Sequence, residues 1–325
     1  MSDFRVGITG VGLALPGVDD PADLLRATTT GPAGEPVVPA DRIGRKGLRY
    51  KDRATQLALV AVRDALRDSR LIPADGERCG LGAGTAVVAS SNLGNLDTVC
   101  RTASAIATES VESISPMGLP NASSNVVASS VAIRFGLRGP NLMVCNGATS
   151  GLDTVRWAAR LIRAGRAERA VVIGVETHNE VTEALTGHPA ATALDGAVAL
   201  VLEGVTAAER RAVPLVAELG DQTRRGSVDA CVAALLATPG PTPGAWFTSE
   251  GFDGDRTVPG TDGMPRHALD AVLGHASGAL GVAQCAAAVG LFTADGPGTV
   301  LLTNGDDDGD AVAGLLLRRT GEGGR

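Results

Sequence analysis

Residues that could carry out chemistry gather in one short stretch near the middle of the chain. Residues 139–152 read GPNLMVCNGATSGL, in which Cys145, Thr149 and Ser150 carry groups able to attack a carbonyl. Such a group needs activation. A helix N-terminus can supply it, because its unpaired N–H groups lower the pKa of a thiol and stabilise an oxyanion. The alternative for Cys145 is a small buried hydrophobic residue.

The elements around this stretch predict how it is held. A short apolar run is followed by small residues and then by DTVRWAARLIRAG, which has helical spacing. We therefore predict a strand, a tight turn and a helix, the order of a nucleophile elbow. The segment VVIGVE that follows predicts a buried strand. Arg156, Arg160 and Arg163 share one face of the predicted helix, which is either solvated or a contact for an acidic carrier protein.

Strands and helices alternate along the rest of the chain. The predicted elements are a strand at 5–9 with a glycine-rich turn after it, an amphipathic helix at 51–69, and helices at 92–110 and 126–135. Asn121 is predicted to cap the last of these helices. From Ala212 a similar order of elements begins again. We therefore predict an α/β fold of two similar halves, residues 1–204 and 205–325, in one compact unit.

Composition and charge narrow the possible functions. Hydrophobic residues make up 44% of the 325 residues and aromatic residues only 2%, which suits close packing of helices on strands. The five cysteines are scattered, so we expect neither a disulfide framework nor a zinc site, and we expect a reducing cytoplasm. The net charge of −7 disfavours nucleic acid as a partner. We expect no signal peptide, no membrane span and no cofactor. The basic segment 41–53 is either a solvated loop or a docking surface for an acidic carrier protein or a partner subunit.

The stretch at 139–152 resembles the active-site motif of the ketosynthases of fatty-acid and polyketide assembly, GPxLxVxTACSSG. The glycines, the proline, Leu142, Val144 and Ser150 match that motif. The position of the nucleophilic cysteine is occupied by Ala148, whose methyl group cannot attack a thioester. The resemblance implies the thiolase fold, in which two pseudo-repeated α/β halves form an αβαβα layered sandwich.

The resemblance also places the family's other active-site features, and most are replaced. Glu250 stands where the first catalytic histidine belongs, and Asp270 where the lysine belongs. A carboxylate would repel an enolate rather than stabilise it. The glycine-rich gate reads GDDDGDA, from Gly305. His275 does match the second histidine, and we predict a structural role for it. The segment between residues 176 and 193 is also shorter than in a catalytic ketosynthase.

These losses resemble a chain-length factor, the non-catalytic partner of an active ketosynthase in type II polyketide synthases that make antibiotics. The resemblance implies a heterodimer with that ketosynthase, contact with an acyl carrier protein, and a tunnel that holds the growing acyl chain. It gives these tunnel and interface positions: Leu96, Val99, Ala103, Met117, Asn121 and Val127. The small Ala103 predicts a fairly deep tunnel, and its apolar lining favours a reduced or polyene product.

Two other functions stay open at this point. One is a thiolase-fold acyltransferase that uses a different nucleophile, Cys145 or Thr149. The other is a homodimeric binding protein that uses the vestigial pocket. An acyl adduct on the isolated chain would favour the first, and stable self-association would favour the second.

Overall fold

The computed structural model describes residues 5–26, 34–74, 76 and 78–320, and within them ten strands form one mixed sheet. The strands are β1 (Val6–Ala14), β2 (Thr85–Ser90), β3 (Asn141–Val144), β4 (Arg169–Glu176), β5 (Gly196–Gly204), β6 (Ala217–Arg225), β7 (Ala245–Phe247), β8 (Arg266–His267), β9 (Thr299–Asn304) and β10 (Val312–Arg319). The helices are α1 (Pro39–Ile43), α2 (Arg53–Asp68), α3 (Leu96–Thr108), α4 (Val126–Phe135), α5 (Ser150–Arg163), α6 (Glu180–Thr186), α7 (Val205–Arg210), α8 (Val228–Leu236), α9 (Asp270–Leu273) and α10 (Leu280–Thr293).

The sheet repeats one strand order twice. The order is β3-β2-β4-β5-β1, followed by β6-β10-β9-β7-β8. In both groups the second strand along the chain pairs in parallel with the third and the fourth, and the fifth pairs antiparallel with the fourth and the first. The groups meet through β1 and β6, which pair at only two positions. The repeated element order expected from the sequence is therefore present in the sheet.

Helices cover both faces of the first five strands. Leu57 of α2 and Val131 of α4 share a hydrophobic core with Val87 of β2. On the other face, Val155 of α5 lies in a second core with Val88. Successive residues of a strand point to opposite faces, so the neighbours Val87 and Val88 belong to different cores.

The helix α10 lies in the middle of the molecule. Every residue from Leu280 to Gly290 is buried, which is the pattern of a helix without a solvent face. It packs against α5, against strands of the first group and against β9 and β10 of the second. The helix α8 covers the second group from outside, where Cys231 shares a core with Leu301. These layers confirm the αβαβα thiolase fold.

Glycines let the two central helices touch. A Cβ atom on Gly281 of α10 would lie 2.4 Å from the backbone nitrogen of Leu152, and one on Gly151 of α5 would lie 2.5 Å from that of Gly281. Real Cβ atoms do not approach backbone atoms so closely. The start of α5, where the elbow lies, is therefore fixed directly against α10.

Two local predictions were wrong. The chain does not turn after residue 9, because β1 continues to Ala14. Gly10 and Gly12 lie inside the strand, since α2 crosses it closely and a Cβ atom on Gly12 would lie 2.0 Å from the carbonyl oxygen of Ala61. Asn121 does not cap α4, which begins after Asn125. Its buried side-chain amide instead donates to the carbonyl oxygen of Tyr50, in the loop before α2.

The predicted helices at 51–69 and 92–110 are confirmed as α2 and α3. None of the helices in the described ranges is long and apolar enough to cross a membrane.

Candidate functional site

The strand, turn and helix predicted for the elbow are present. After β3 the chain passes through Cys145 and Asn146 into one 3-10 turn, Gly147–Thr149, and α5 begins at Ser150. Gly147 has φ +66°, a left-handed conformation that favours glycine. The Ser150 hydroxyl accepts from the backbone N–H of Asn146 at 2.7 Å. The Ser150 side chain therefore closes the turn.

A neighbouring loop braces the elbow from outside. The Ser150 hydroxyl donates to Asn92 Oδ1 at 2.9 Å, and the Asn92 amide donates to the Gly147 carbonyl at 2.9 Å. The same amide lies 2.8 Å from the Ser277 hydroxyl, which is on the loop before α10. Asn92 therefore joins three segments around the elbow, a role that we did not predict from the sequence.

One cavity of about 520 Å³ brings together residues from four distant segments. Ala148, Glu250, Asp270 and His275 all line it, and these are the four positions that the sequence comparison placed at the active site. Asp306, from the acidic loop in place of the glycine-rich gate, lines it too. The structure therefore brings into one cavity the positions that the resemblance predicts for the active site, with the methyl group of Ala148 among them.

Glu250 and His275 form an ion-pair contact at this cavity. Glu250 Oε2 lies 2.9 Å from His275 Nδ1, and Glu250 Oε1 accepts from the backbone N–H of Ala276 at 2.6 Å. The hydrogen bond to Glu250 raises the pKa of His275 above its ordinary value of 6.5, although burial acts in the opposite direction. The carboxylate therefore occupies one ring nitrogen of the only histidine retained from the motif.

His275 is also fixed by its surroundings. Its ring stacks on His188, with the centroids 4.2 Å apart. Its backbone N–H donates to the Thr192 carbonyl at 2.7 Å, and its carbonyl accepts from Leu194 at 3.0 Å. These contacts hold the ring in place, and its structural role stays a prediction. The sequence pattern gave no sign of His188, because it lies in the segment that has no close counterpart in the motif.

The alternative nucleophiles are placed poorly for attack. Cys145 does not line the cavity. The residue is exposed overall, but partial burial of its thiol and then the charge of Glu176 raise the thiol's pKa. The Thr149 side chain is buried, and its hydroxyl donates to Asp153 at 2.8 Å. Ser150 is fully buried and bonded as described above. A reactive thiol would instead have a lowered pKa.

A buried carboxylate near the site joins two of its loops. Glu176, at the end of β4, is 1% exposed. It accepts from the backbone N–H groups of Asn92, Leu93 and Gly278 at 2.7, 3.0 and 3.0 Å, and from the Ser91 hydroxyl at 2.9 Å. Burial raises the pKa of its carboxyl, and these four donors oppose that rise. Glu176 therefore ties the loop before α3 to the loop before α10.

The expected tunnel and interface residues lie apart from this cavity. No residue of α3 is buried, and its Val99 and Ala103 are exposed while Leu96 is half-buried. Met117 is 63% exposed, in the loop after α3. The other two, Asn121 and Val127, are buried, and Val127 lies in α4. None of the six lines the cavity.

The described residues give no support for a metal site. The described residues contain no group of three or more His, Cys, Asp or Glu side chains that could hold a metal ion. The cavity offers two stacked imidazoles, carboxylates and the Ser277 hydroxyl. The cavity lining contains no cysteine.

Comparisons with known proteins agree with this geometry. Residues 39–195 match the family model "Beta-ketoacyl synthase, N-terminal domain". The granaticin polyketide putative beta-ketoacyl synthase 1 of Streptomyces violaceoruber is 32% identical over 268 residues, which cover 68% of this chain and 63% of that protein. The tetracenomycin polyketide synthase ketoacyl synthase alpha subunit of Streptomyces glaucescens is 35% identical over 201 residues, covering 52% and 45%. The chain thus spans less than two thirds of the length of either relative.

A solved structure matches over almost the whole chain. The ishigamide ketosynthase/chain length factor superposes with a TM-score of 0.79 at 25% identity, covering 98% of this chain and 100% of that one. The layered sheet and the elbow define a protein of the thiolase-like superfamily. Within that superfamily the chain is a homologue of the ketosynthase and chain length factor proteins of type II polyketide synthases.

Proposed function

We propose that this chain is a non-catalytic, chain-length-factor-like subunit that pairs with an active ketosynthase and forms the floor of its acyl tunnel. The observation that carries the proposal is Ala148 at the head of the elbow. A ketosynthase holds its acyl chain as a thioester, and a methyl group cannot form one. The chain would therefore shape a reaction whose covalent steps take place on another subunit.

The Glu250–His275 contact supports the proposal independently. Decarboxylation of an extender unit leaves an enolate, which needs hydrogen-bond donors where its charge develops. Here a carboxylate lies 2.9 Å from the ring nitrogen of the retained histidine. Negative charge at that place raises the energy of an enolate. The site therefore lacks the nucleophile that would hold the acyl chain. It also lacks the hydrogen-bond donors that would stabilise the enolate formed by decarboxylation.

The surface of α3 supports pairing with another subunit. Val99 and Ile106 are 38% and 44% exposed, and they lie on one face of the helix with Ala103 between them. Val111, in a short turn that contacts α3, and Met117 further along the chain are 70% and 63% exposed. Exposed apolar side chains of this kind are typical of an interaction surface. An active ketosynthase that covered it would enclose Ala103 and its neighbours as a tunnel floor.

The test is product length in a reconstituted pair. The chain is co-expressed with a type II ketosynthase and an acyl carrier protein, and the products are separated by mass. Ala103→Trp should shorten the product, because the indole fills the tunnel floor. Ser104→Trp is the matched control, since position 104 is also exposed but lies about 100° around the helix. Unchanged product length with Ala103→Trp would show that α3 does not form the floor.

A small Ala103 is expected to leave room for a long chain, and an apolar floor suits a reduced or polyene product better than a polar one. Cytoplasmic location and contact with an acyl carrier protein are expected on the same basis.

The competing proposal is an acyltransferase that uses Cys145 or Thr149. The raised thiol pKa of Cys145 and the buried, bonded hydroxyl of Thr149 count against it. Mass spectrometry of the chain after incubation with acyl-carrier substrates distinguishes the two functions. A stable acyl adduct on either residue would favour the acyltransferase.

A further inference from the structure

The contact between Glu250 and His275 leaves one nitrogen of the imidazole without a partner. Glu250 Oε2 lies 2.9 Å from Nδ1, so the neutral ring carries its proton on Nδ1 and its lone pair on Nε2. No described residue forms a hydrogen bond or an ion pair with Nε2. The side chain of His275 is 29% exposed and lines the cavity of about 520 Å³. A side chain with an unoccupied lone pair therefore lines a cavity that a small molecule can enter.

A carboxylate bonded to Nδ1 is the arrangement of a general base. It holds the ring in one tautomer, and it stabilises the imidazolium that forms when Nε2 takes up a proton. The hydrogen bond to Glu250 raises the pKa of His275, burial opposes this, and the charges of Glu250 and Glu176 raise the pKa further. Asp270 and Asp306 line the same cavity, and their charges favour the imidazolium as well. The groups around this imidazole therefore strengthen it as a base.

The ring of His275 is also held in one orientation. His188, the other titratable group against it, stacks on the ring with the centroids 4.2 Å apart. The backbone of His275 is bonded on both sides to the segment that follows His188, through Thr192 and Leu194. A base that is already oriented when substrate binds needs no further ordering, which lowers the barrier of the step that it assists.

The elbow supplies a hydrogen-bond donor for the carbonyl oxygen of an acyl group. Ala148 lines the cavity, in the turn that leads into α5. None of the described residues accepts a hydrogen bond from its backbone N–H. Unbonded N–H groups at the start of a helix stabilise negative charge on oxygen. An acyl group bound beside Ala148 would therefore find a donor for its oxygen and a base for its nucleophile in one cavity.

We propose that this cavity hydrolyses neutral acyl thioesters, with water as the nucleophile and Nε2 of His275 as the general base. The base removes a proton from water while the water oxygen bonds to the carbonyl carbon. The carbon–sulfur bond then breaks, and the proton passes from Nε2 to the sulfur of the leaving thiol. The products are a carboxylic acid and a thiol. Because the nucleophile is water, the methyl group of Ala148 does not prevent this reaction.

The charge of the cavity selects among thioesters. Glu250, Asp270 and Asp306 line it, and no lysine or arginine of the described ranges does. A substrate that carries its own carboxylate is therefore repelled. Ala148 and Leu280 offer apolar surface to an acyl chain. The cavity is thus suited to a neutral acyl chain and not to a malonyl group.

This activity goes beyond the proposed function, which concerns chain length in a reaction on a partner subunit. Only the choice of thioesters rests on that function, in which the partner holds its acyl chain as a thioester. Hydrolysis assigns His275 a catalytic role where the sequence predicts a structural one. Glu250 is a positioning residue, because it acts through the imidazole.

The test is hydrolysis of S-hexanoyl-N-acetylcysteamine, a neutral thioester, by the purified full-length chain. Chromatography measures the released thiol, and mass spectrometry follows the protein. His275→Ala should lower the rate about hundredfold, and imidazole added to the solution should restore part of it. S-malonyl-N-acetylcysteamine should be hydrolysed no faster than without protein.

Glu250→Gln gives a measurement that a purely structural role would not change. Only the neutral imidazole accepts a proton, so the wild-type rate should rise with pH through the raised pKa of His275. The variant should be about tenfold slower, and its rate should rise at lower pH, because the hydrogen bond that raises the pKa is lost. This measurement remains if His275→Ala folds poorly.

His178→Gln is the matched control. His178 also contacts a glutamate, with its Nε2 atom 3.0 Å from Glu183 Oε2, but it does not line the cavity. This variant should keep the wild-type rate and pH profile. The same set of variants can be measured in a pair with a ketosynthase whose nucleophilic cysteine is replaced by alanine, so that the partner adds no hydrolysis of its own.

Three results would overturn the proposal. One is no hydrolysis of the hexanoyl thioester above the rate without protein, and another is a pH profile that stays in place in Glu250→Gln. The third is an acyl adduct on the protein, which would show that a side chain attacks instead of water. None of these results depends on α3, so they are separate from the product-length test of the proposed function.

Discussion

The contact between Glu250 and His275 can be tested by one substitution that removes its charge and little else. Glu250→Gln keeps the size of the side chain and an oxygen that can accept from Ala276. A hydrogen bond to a charged group contributes about 1.5–3 kcal/mol to the free energy of unfolding. The side chains of His275 and Glu250 are 29% and 22% exposed, so solvent screens part of this. We expect a loss of about 1 kcal/mol, which for 325 residues lowers Tm by about 1.5 °C.

The loss should depend on pH in a defined direction. The folded-state pKa of His275 is raised above its ordinary value of 6.5, so the contact stabilises the fold fully below that value. Its contribution disappears as the pH rises through the raised pKa, when the imidazole loses its proton in the folded chain too. The difference in stability between wild type and Glu250→Gln should therefore be largest below pH 6.5 and small in alkaline solution.

Two measurements check this reasoning. NMR of chain labelled at its four histidines gives the titration of His275, and denaturant unfolding at several pH values gives the stability. Glu250→Gln should lower the titration midpoint of His275, because burial, which also acts on its pKa, is then less opposed. Asp270→Asn is the control, since Asp270 lines the same cavity but bonds to the backbone of Gly251 and Ala271. An unchanged His275 midpoint in Glu250→Gln, or a stability difference that grows with pH, would refute the pairing.

Two further substitutions test the contacts that hold the site in place, and a third tests whether the site can react. Gly281→Ala should cost about 3 kcal/mol or more in denaturant unfolding, because its Cβ would meet the backbone of α5 at 2.4 Å, whereas Gly298→Ala, with open space around it, should be nearly neutral. Glu176→Gln should cost about 2–3 kcal/mol, since an amide nitrogen would then face N–H donors, while the same change at the half-exposed Glu168 should stay within about 0.5 kcal/mol. Ala148→Cys should be alkylated by iodoacetamide yet release no carbon dioxide from a malonyl thioester, and release at a ketosynthase-like rate would show that Glu250 does not block that step.

The sequence predicted most of the element order because hydrophobic period reports local structure. The elbow, α2 and α3 follow directly from such patterns. The errors arose where a contact with a residue distant in the sequence determines the local conformation. Gly10 and Gly12 resemble a turn in sequence, and only the crossing of α2 explains why a strand needs them. Asn121 has the chemistry of a helix cap, but its partner Tyr50 lies 71 residues away along the chain.

For the candidate site, the sequence predicted which residues take part but not how they contact one another. The resemblance placed Ala148, Glu250, Asp270 and His275 one at a time, and all four line one cavity. It could not give the bond between Glu250 and His275, because a replaced residue has no counterpart whose contacts could be transferred. His188 and Asn92 were missed for a related reason. Each acts through a contact with another loop, and neither forms part of a pattern in its own segment.

The parts of the elbow that remain explain why a chain without a nucleophile would still need an elbow. Glu176 and Ser150 hold Asn92 and Leu93, and α3 begins three residues after Leu93, at Leu96. The elbow therefore fixes the start of the exposed helix on which the proposed tunnel floor lies. A catalytic thiol adds nothing to that task, whereas a displaced Asn92 would move Ala103. An elbow that keeps its contacts without the thiol therefore supports the proposed role, in which this chain shapes the tunnel of a partner subunit.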